Sequence, residues 1–565
     1  MLMQFLRKHS LSIVSWFLAV LFFGPFLIYP MYRVISGALV ENGVFHPGLV
    51  LLPWQDFTSR NGMWNALMVA LLATVFASVL ALPPAFIMAR LRFRGKNVLT
   101  SFLLVPLLLP PFVGAIGLRQ MLAREGVVNL LLMRWGVLHQ PVDFLQMQLP
   151  MVILVMGLQL YPLIYLNVAA AWANVDTSLE EAAENLGAGG WRIFRSVTLP
   201  LLWPGYVAGA LIVFIFAFTD LGTPLIFNYH AVTAVQIFNY SSDVTNPMGF
   251  VLALWLTVLA VGVFWLSRKT LSSAAAGRLA SVARGSRRSR EVPATPWQLP
   301  LVYGVLGLVI LLSVLPHVGV ILGSFAHDWT NSLWPQWTLD NYSQLIHDQS
   351  GLAASSIKVS LICALASMVV DVIGGAALAY AVVRGKVWAA GLLDGIAMIP
   401  LALPGLILAF GLLVGFSGTW LDPLFNPLPI LIISYAVRRL PYSVRSVSAG
   451  LQQTSVMLEE ASLNMGATPL RTIWQVTRPL VSANLVAAGL LTFAFAVLEV
   501  SDSLILAVRS DVMPIAKAIY QLMGSVGSGA FTACALGVVG MALLTGTFFL
   551  ANRLLGRQMG SLFRL

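Results

Sequence analysis

Two stretches of this chain carry the same side chains at the same spacing. EEAAENLGAGGWRIFRSVTLPL (180–201) aligns with EEASLNMGATPLRTIWQVTRPL (459–480) without a gap, at an offset of 279 residues. Each has two glutamates, then Ala and a small residue, a Gly six residues after the second Glu, and a hydrophobic-x-x-Pro ending (Val197 to Pro200, Val476 to Pro479). These residue types suit a short docking helix. Glu180 and Glu181, or Glu459 and Glu460, fall in the first turns, where negative charge complements the helix dipole. Ala182, Ala183 and Ala461 leave a flat face that a partner can approach. Gly187 and Gly466 can end the helix in a left-handed conformation. Pro200 and Pro479 are expected to open the next segment at its first turn.

Other chemistry is sparse. None of the seven histidines stands at a metal-ligand spacing from another His, Cys or acid, so no metal site is assigned. Cys363 and Cys534 sit in apolar runs and offer no disulfide framework. No G-x-x-x-x-G-K-[ST] stretch occurs, so the chain carries no P-loop. No nucleophile, base or ligand set converges, and no catalytic residue is assigned. The chain does not read as an enzyme.

The elements that position the two loops follow from composition. Of 565 residues, 58% are hydrophobic and 10% charged, against about 25% charged in soluble domains. Such a chain cannot cover itself in water, and it is too rich in aromatics and branched aliphatics to be disordered. It reads as an all-α polytopic membrane protein. Apolar runs of spanning length occur at about 11–38, 63–89, 98–122, 150–172, 203–226 and 249–267, then at about 299–325, 355–382, 389–415, 428–444, 481–507 and 530–552. The first follows Arg7 and Lys8, is too long for a signal-peptide core and lacks a cleavage site, so it is expected to remain as a span.

Basic residues orient these spans. With the N-terminus inside, 25 of the 33 Lys and Arg fall in inner loops, at inner span ends or in the tails, Arg438 and Arg439 among them. Both termini are therefore expected in the cytoplasm. The formal net charge of +11 is accounted for by these loops, and no nucleic-acid partner is expected.

The repeat extends beyond the two loops. VFIFAFTDLGTPLI (213–226) lies over TFAFAVLEVSDSLI (492–505), placing Asp220 on Glu499. Upstream, VPLLLPPFVGAIGL (105–118) matches IPLALPGLILAFGL (399–412) at an offset of 294. Six spans per half give both halves the same orientation, a parallel duplication about an axis normal to the membrane. The expected organisation is 1–269 (loop about 176–200), a basic cytoplasmic linker at 270–298, and 299–565 (loop about 455–479). The linker reads as a tether, with a regulatory or lipid-binding patch as the alternative.

Acids inside spans are functional candidates. Asp220 lies 17 residues past Trp203, about 25 Å along a helix, which places it near the outer surface. Glu499 and Asp502 have similar depth, so all three are assigned to the outer part of a pathway between the halves. The alternative is that each acid caps a local helix break. Asp371, mid-span, is isolated and could bond to a neighbouring helix.

The paired loops resemble the EAA loops of ABC-importer permeases. The first copy matches nearly throughout, including Leu199-Pro200. The second departs at Ser462 and Arg478. Six spans with a loop, a linker, then six spans with a loop resemble the fused permeases of the ferric-iron, thiamine, 2-aminoethylphosphonate and polyamine group. The resemblance implies a type I importer fold in the bacterial inner membrane, surrounded by lipid, with two copies of a cytoplasmic ABC ATPase docked on the loops. It also implies a periplasmic or extracellular substrate-binding protein, ATP and Mg held by the ATPase rather than by this chain, and ferric iron as first choice of cargo. A twelve-span secondary transporter of the major facilitator type shares the parallel halves but does not explain paired loops.

The charge asymmetry makes a direct prediction. A single Cys at Ser286, in a background lacking Cys363 and Cys534, is expected to resist an impermeant thiol reagent in intact cells and to react once the membrane is opened. Labelling in intact cells would invert the topology.

Overall fold

The computed structural model describes residues 14–555 apart from 42, 109, 174, 283–290, 348–350, 386–389 and 526. Arg7, Lys8, Arg284, Ser286, Arg287, Arg288, Arg290, Lys386, Arg557 and Arg564, which entered the topology reading, lie outside the described residues. Among the described residues the architecture is helical, with two-residue ladders as its strands. The first half contains α1 (Val14–Leu39), α2 (Phe57–Arg90), α3 (Lys96–Leu107), α4 (Pro111–Leu122) and α5 (Gln148–Ala173), followed by the short α6 (Thr177–Asn185). Then come α7 (Gly190–Thr219), α8 (Gly222–Ile226), α9 (Thr233–Tyr240) and α10 (Pro247–Val282).

The second half repeats the order. It contains α11 (Leu299–Ser324), α12 (Leu352–Arg384), α13 (Ala390–Ala402), α14 (Gly405–Phe416), α15 (Pro427–Gln453) and α16 (Val456–Asn464). It closes with α17 (Pro469–Leu480), α18 (Ser482–Val497), α19 (Ser501–Leu506), α20 (Ile515–Met523) and α21 (Gly529–Leu555). Among the described residues, eight helices are long and apolar enough to span a membrane, or eleven if each sharply bent pair counts as one. The repeat supplies a twelfth in α15, which matches α5 at the 279 offset but carries Arg438, Arg439 and Arg445.

Several spans expected as straight runs are broken. The runs at 98–122 and 389–415 each split at a proline. Pro110 and Pro404 adopt extended ψ of 147° and 133° at the N-caps of α4 and α14, and α13 meets α14 at 99°. Proline removes an N–H and crowds the preceding turn, so a helix stops before it. The runs at 203–226 and 481–507 break too, after Thr219 and Val497. In the opposite sense, α10 continues to Val282, so the expected linker begins as helix. Its Ala-rich, proline-free sequence favours continuation.

The halves interlock through their first spans. In the first half α4 packs on α11, and in the second half α14 packs on α1. Each contact relies on glycine. A Cβ on Gly319 would lie 2.6 Å from the Gly117 carbonyl oxygen, and one on Gly411 would lie 3.0 Å from the Pro30 carbonyl oxygen. Tyr29 seals the second contact by donating to the Gly415 carbonyl at 3.1 Å. Gly117→Ala is expected to cost about 2 kcal/mol through overpacking, read as a lower thermal midpoint of the purified protein. Gly307→Ala, in open space on α11, is the control and should leave stability unchanged or raise it by up to about 1 kcal/mol through helix propensity. Equal midpoints would refute the interlock at Gly117.

Candidate coupling site

The two glutamate-rich stretches fold into matching caps and turns. Asp176 accepts from the Ser178 N–H at 2.9 Å to start α6, and Ser455 accepts from the Met457 N–H at 3.3 Å to start α16. Both are N-cap contacts that satisfy otherwise free donors of the first turn. At the other end Gly187 and Gly466 have φ of +80° and +87°. The following residue folds back in both copies: Ala188 donates to the Ala183 carbonyl at 3.0 Å and Ala467 to the Ser462 carbonyl at 3.2 Å. This is a left-handed glycine stop of the Schellman kind.

Pro200 and Pro479 stand in the first turn of the α-helical stretches Leu199–Thr219 and Arg478–Leu480, as expected, but each stretch continues an earlier helix instead of starting from a loop. The following helices begin about ten residues earlier, at Gly190 and Pro469, and a wide π-turn precedes each proline, over Phe194–Thr198 and Ile473–Thr477. A wide turn has i→i−5 bonds, so the missing N–H and the ring of proline are accommodated within a continuing helix.

Glu180 and Glu459 face inward rather than toward solvent. Arg90, the last residue of α2, forms a two-pronged ion pair with Glu180, one prong being Nη1 to Oε2 at 2.6 Å. The Thr198 hydroxyl, in the π-turn, donates to the same carboxylate. One glutamate thus joins α2, α6 and the start of α7. In the second half Arg384, the last residue of α12, donates from Nε to Glu459 at 3.2 Å. Its Nη2 donates to the Leu451 and Thr454 carbonyls, both at 2.9 Å, and Tyr380 donates to Glu459 at 3.3 Å. Arg90 and Arg384 are themselves repeat equivalents, 294 residues apart. The signal for them is the 294 offset of the upstream block, which continues N-terminal to residue 105 and carries Arg90 onto Arg384.

With these glutamates turned inward, exposed apolar side chains stand out beside the polar Glu184, Asn185, Glu460 and Asn464. Leu186 and Met465, at equivalent positions beside the stop glycines, are 88% and 84% exposed, and Trp191 and Leu470 form a second exposed equivalent pair. Leu179 and Leu458 continue the surface. Ala182, Ala461 and Glu460 are exposed, while Ala183 and Glu181 are half-buried. Contiguous exposed apolar side chains rimmed by polar ones mark a docking surface.

The acids assigned to the pathway separate in role. The two helix breaks do meet between the halves: a Cβ on Gly222 would lie 2.9 Å from Val500 Cγ1. Asp220 caps α8 by accepting from the Thr223 N–H at 2.8 Å, the capping alternative. Glu499 instead lies between Arg438 and Arg439, which pair with its two oxygens. Asp502 pairs with Arg438 at 3.3 Å and accepts from Ser434 at 2.9 Å. Arg438 and Arg439 therefore stand within α15 and leave the set of inner-loop charges. No hydrogen bond joins Asp220 to Glu499 among the described residues, and Glu499 is not a free acid. Among those residues, no three His, Cys, Asp or Glu side chains group to hold a metal ion.

Residues 81–269 and 371–559 each match the family described as binding-protein-dependent transport system inner membrane component. A ferric transport system permease of Actinobacillus pleuropneumoniae is 26% identical over 501 residues, covering 84% of this chain and 69% of that protein. An Fe(3+)-transport system permease of Haemophilus influenzae is 23% identical over 481 residues, covering 84% and 86%. A molybdenum transport system permease of Escherichia coli is 31% identical over 168 residues, covering 29% of this chain and 71% of that protein.

The inward-facing glutamates predict unequal losses. Arg384 and Glu459 are each 8% exposed, so Arg384→Ala should cost about 3 kcal/mol by leaving a buried carboxylate unpaired. Arg90→Ala, at a more open site, should cost about 2 kcal/mol. Arg445→Ala, which breaks an exposed pair with Asp394, should cost less than about 1 kcal/mol. Thermal unfolding of the three variants decides; a uniform loss would contradict the inward assignment.

Proposed function

Because the chain belongs to the family of binding-protein-dependent transport system inner membrane components, a multi-pass transport subunit of the inner membrane, we propose that it forms the whole transmembrane pathway of an ATP-driven importer of ferric iron. One copy of a cytoplasmic ABC ATPase docks on α6 and a second on α16. ATP and Mg belong to that partner. A separate binding protein presents the cargo at the outer side, and both termini face the cytoplasm.

The observation that carries this reading is the pair of loop helices, each followed by exposed apolar side chains and clamped by an arginine at the end of a spanning helix. A clamp of that kind transmits a push on the loop into α2 or α12 instead of letting the loop move alone. Family membership also displaces the major facilitator alternative, which would have no use for the two loops. Ferric iron is favoured as cargo because relatives named for ferric transport align along most of this chain, whereas the molybdenum permease aligns with less than a third of it.

Gly187→Val or Gly466→Val tests the docking role. A β-branched residue is strained at positive φ, so the stop of the loop helix should be lost while the spans still insert. The expected result is about tenfold less ATPase co-purifying with the permease, the equivalent of 1–2 kcal/mol. Unchanged complex yield with unchanged transport in both variants would remove the assignment. The cargo is tested separately: the cognate binding protein loaded with ferric iron, and not with molybdate, should stimulate ATP hydrolysis by the reconstituted complex.

A further inference from the structure

Asp371 is fully buried in the middle of α12, and neither of its carboxylate oxygens has a hydrogen-bond partner. An acid in a span without a partner is costly and is retained for a function. Its surroundings indicate which one. α12 runs parallel to α15 and touches it closely one turn further along: a Cβ on Gly375 would lie 2.6 Å from Ser443 Cβ, and one on Gly374 would lie 3.3 Å from Leu440 Cδ1. One turn back from Ser443 on α15 is Arg439, which the parallel register of the two helices, Gly375 on Ser443, places level with Asp371. On its other side α12 packs against α18, where a Cβ on Gly489 would lie 3.3 Å from Val372 Cγ2.

Arg439 is incompletely satisfied as well. It pairs with Glu499 and donates to the Phe495 carbonyl at 2.7 Å and the Tyr435 carbonyl at 3.2 Å, yet its buried Nε has no partner. An unpartnered buried carboxylate thus neighbours a guanidinium with a spare donor. The repeat links the two independently. The first-half equivalent of Arg439 is Leu160, and that of Asp371 is Ala77, whereas Glu499 keeps an acid, Asp220, at its equivalent. The half without the arginine also lacks the mid-span aspartate.

We propose that Asp371 is a positioning residue of the transport cycle, the second acceptor to which Arg439 transfers from Glu499 when α15 shifts against α18 and α19. In the state described here Arg439 is held by Glu499 and Asp371 is left vacant. In the alternate state the guanidinium engages Asp371 through its Nε edge, and Glu499 keeps Arg438 alone. Both states then retain a carboxylate on Arg439, so the buried cation never crosses the transition uncompensated. The proposal rests on the importer reading above.

The exchange predicts effects of opposite sign. Spin labels on Asn185→Cys and Asn464→Cys, exposed equivalents at the ends of α6 and α16, report the separation of the two loops in the full chain, in a background lacking Cys363 and Cys534. Asp371→Asn should move the population toward the present state by about tenfold, as expected when one of two states loses a charge-assisted hydrogen bond. Glu499→Gln should move it the other way, and the double variant should return toward the parent. Asp371→Asn also removes an unpaired acid, so its thermal stability should be equal or higher while ATP hydrolysis stimulated by loaded binding protein falls. An unchanged distance distribution with parent-level stimulated hydrolysis in Asp371→Asn would overturn the exchange, even if Glu499→Gln fails to fold. A parent complex in which loaded binding protein gives no stimulation would instead overturn the importer reading, and this proposal with it.

Discussion

A carboxylate can be drawn under a loop at the membrane edge only if a cation meets it there, because an unpaired buried charge is too costly. Arg90 and Arg384 supply that cation from the last residues of α2 and α12. Each arginine is fixed in the frame of its spanning helix, so the loop helix it holds is fixed as well. The surface around the two loops depends on this. With Glu180 and Glu459 drawn inward, apolar side chains beside Gly187 and Gly466 form the exposed surface. Ser462, which stands where the first copy has Ala183, is accommodated separately: it is buried against Thr472 and bonds to its hydroxyl at 3.0 Å.

The two halves apply one plan with unequal chemistry. In the first, Thr198 completes the shell of Glu180; in the second, the equivalent Thr477 hydroxyl is buried without a partner, and Tyr380 and the carbonyls at Leu451 and Thr454 take over around Arg384 and Glu459. The helix breaks diverge further. Asp220 serves a short helix N-terminus, whereas Glu499 and Asp502 hold two arginines. α1 and α11 each lie against the broken helix of the other half, so the packing of each half includes a span of the other. Fusion into one chain suits such an interlocked pair.

Much of this was legible in the sequence. Helical class, duplication and loop helices follow from hydrophobic runs and from a gapless match, because apolar length and glycine stops act locally. The breaks at Pro110 and Pro404 were present in the aligned block as paired prolines, but the apolar run across them masked the turn. The inward direction of Glu180 and Glu459 was not legible from the loops, since it depends on arginines 90 and 75 residues upstream. Extending the 294 offset to Arg90 and Arg384 would have revealed them. Arg438 and Arg439 misled for a related reason. A basic pair near the end of an apolar run reads as an inner boundary, and only packing of α15 on the segment after α18 shows that acids compensate it within the helix.

We propose that α6 and α16 are equivalent seats for the ATPase, held rigid from within by their glutamates. A photo-crosslinking amino acid placed in turn at Leu186 and Met465 tests it most directly, in cells that contain the whole complex. The account predicts that both positions crosslink to the ATPase, with comparable yield. Crosslinks to lipid or to neighbouring chains but not to the ATPase, from a complex that still hydrolyses ATP in response to loaded binding protein, would contradict it.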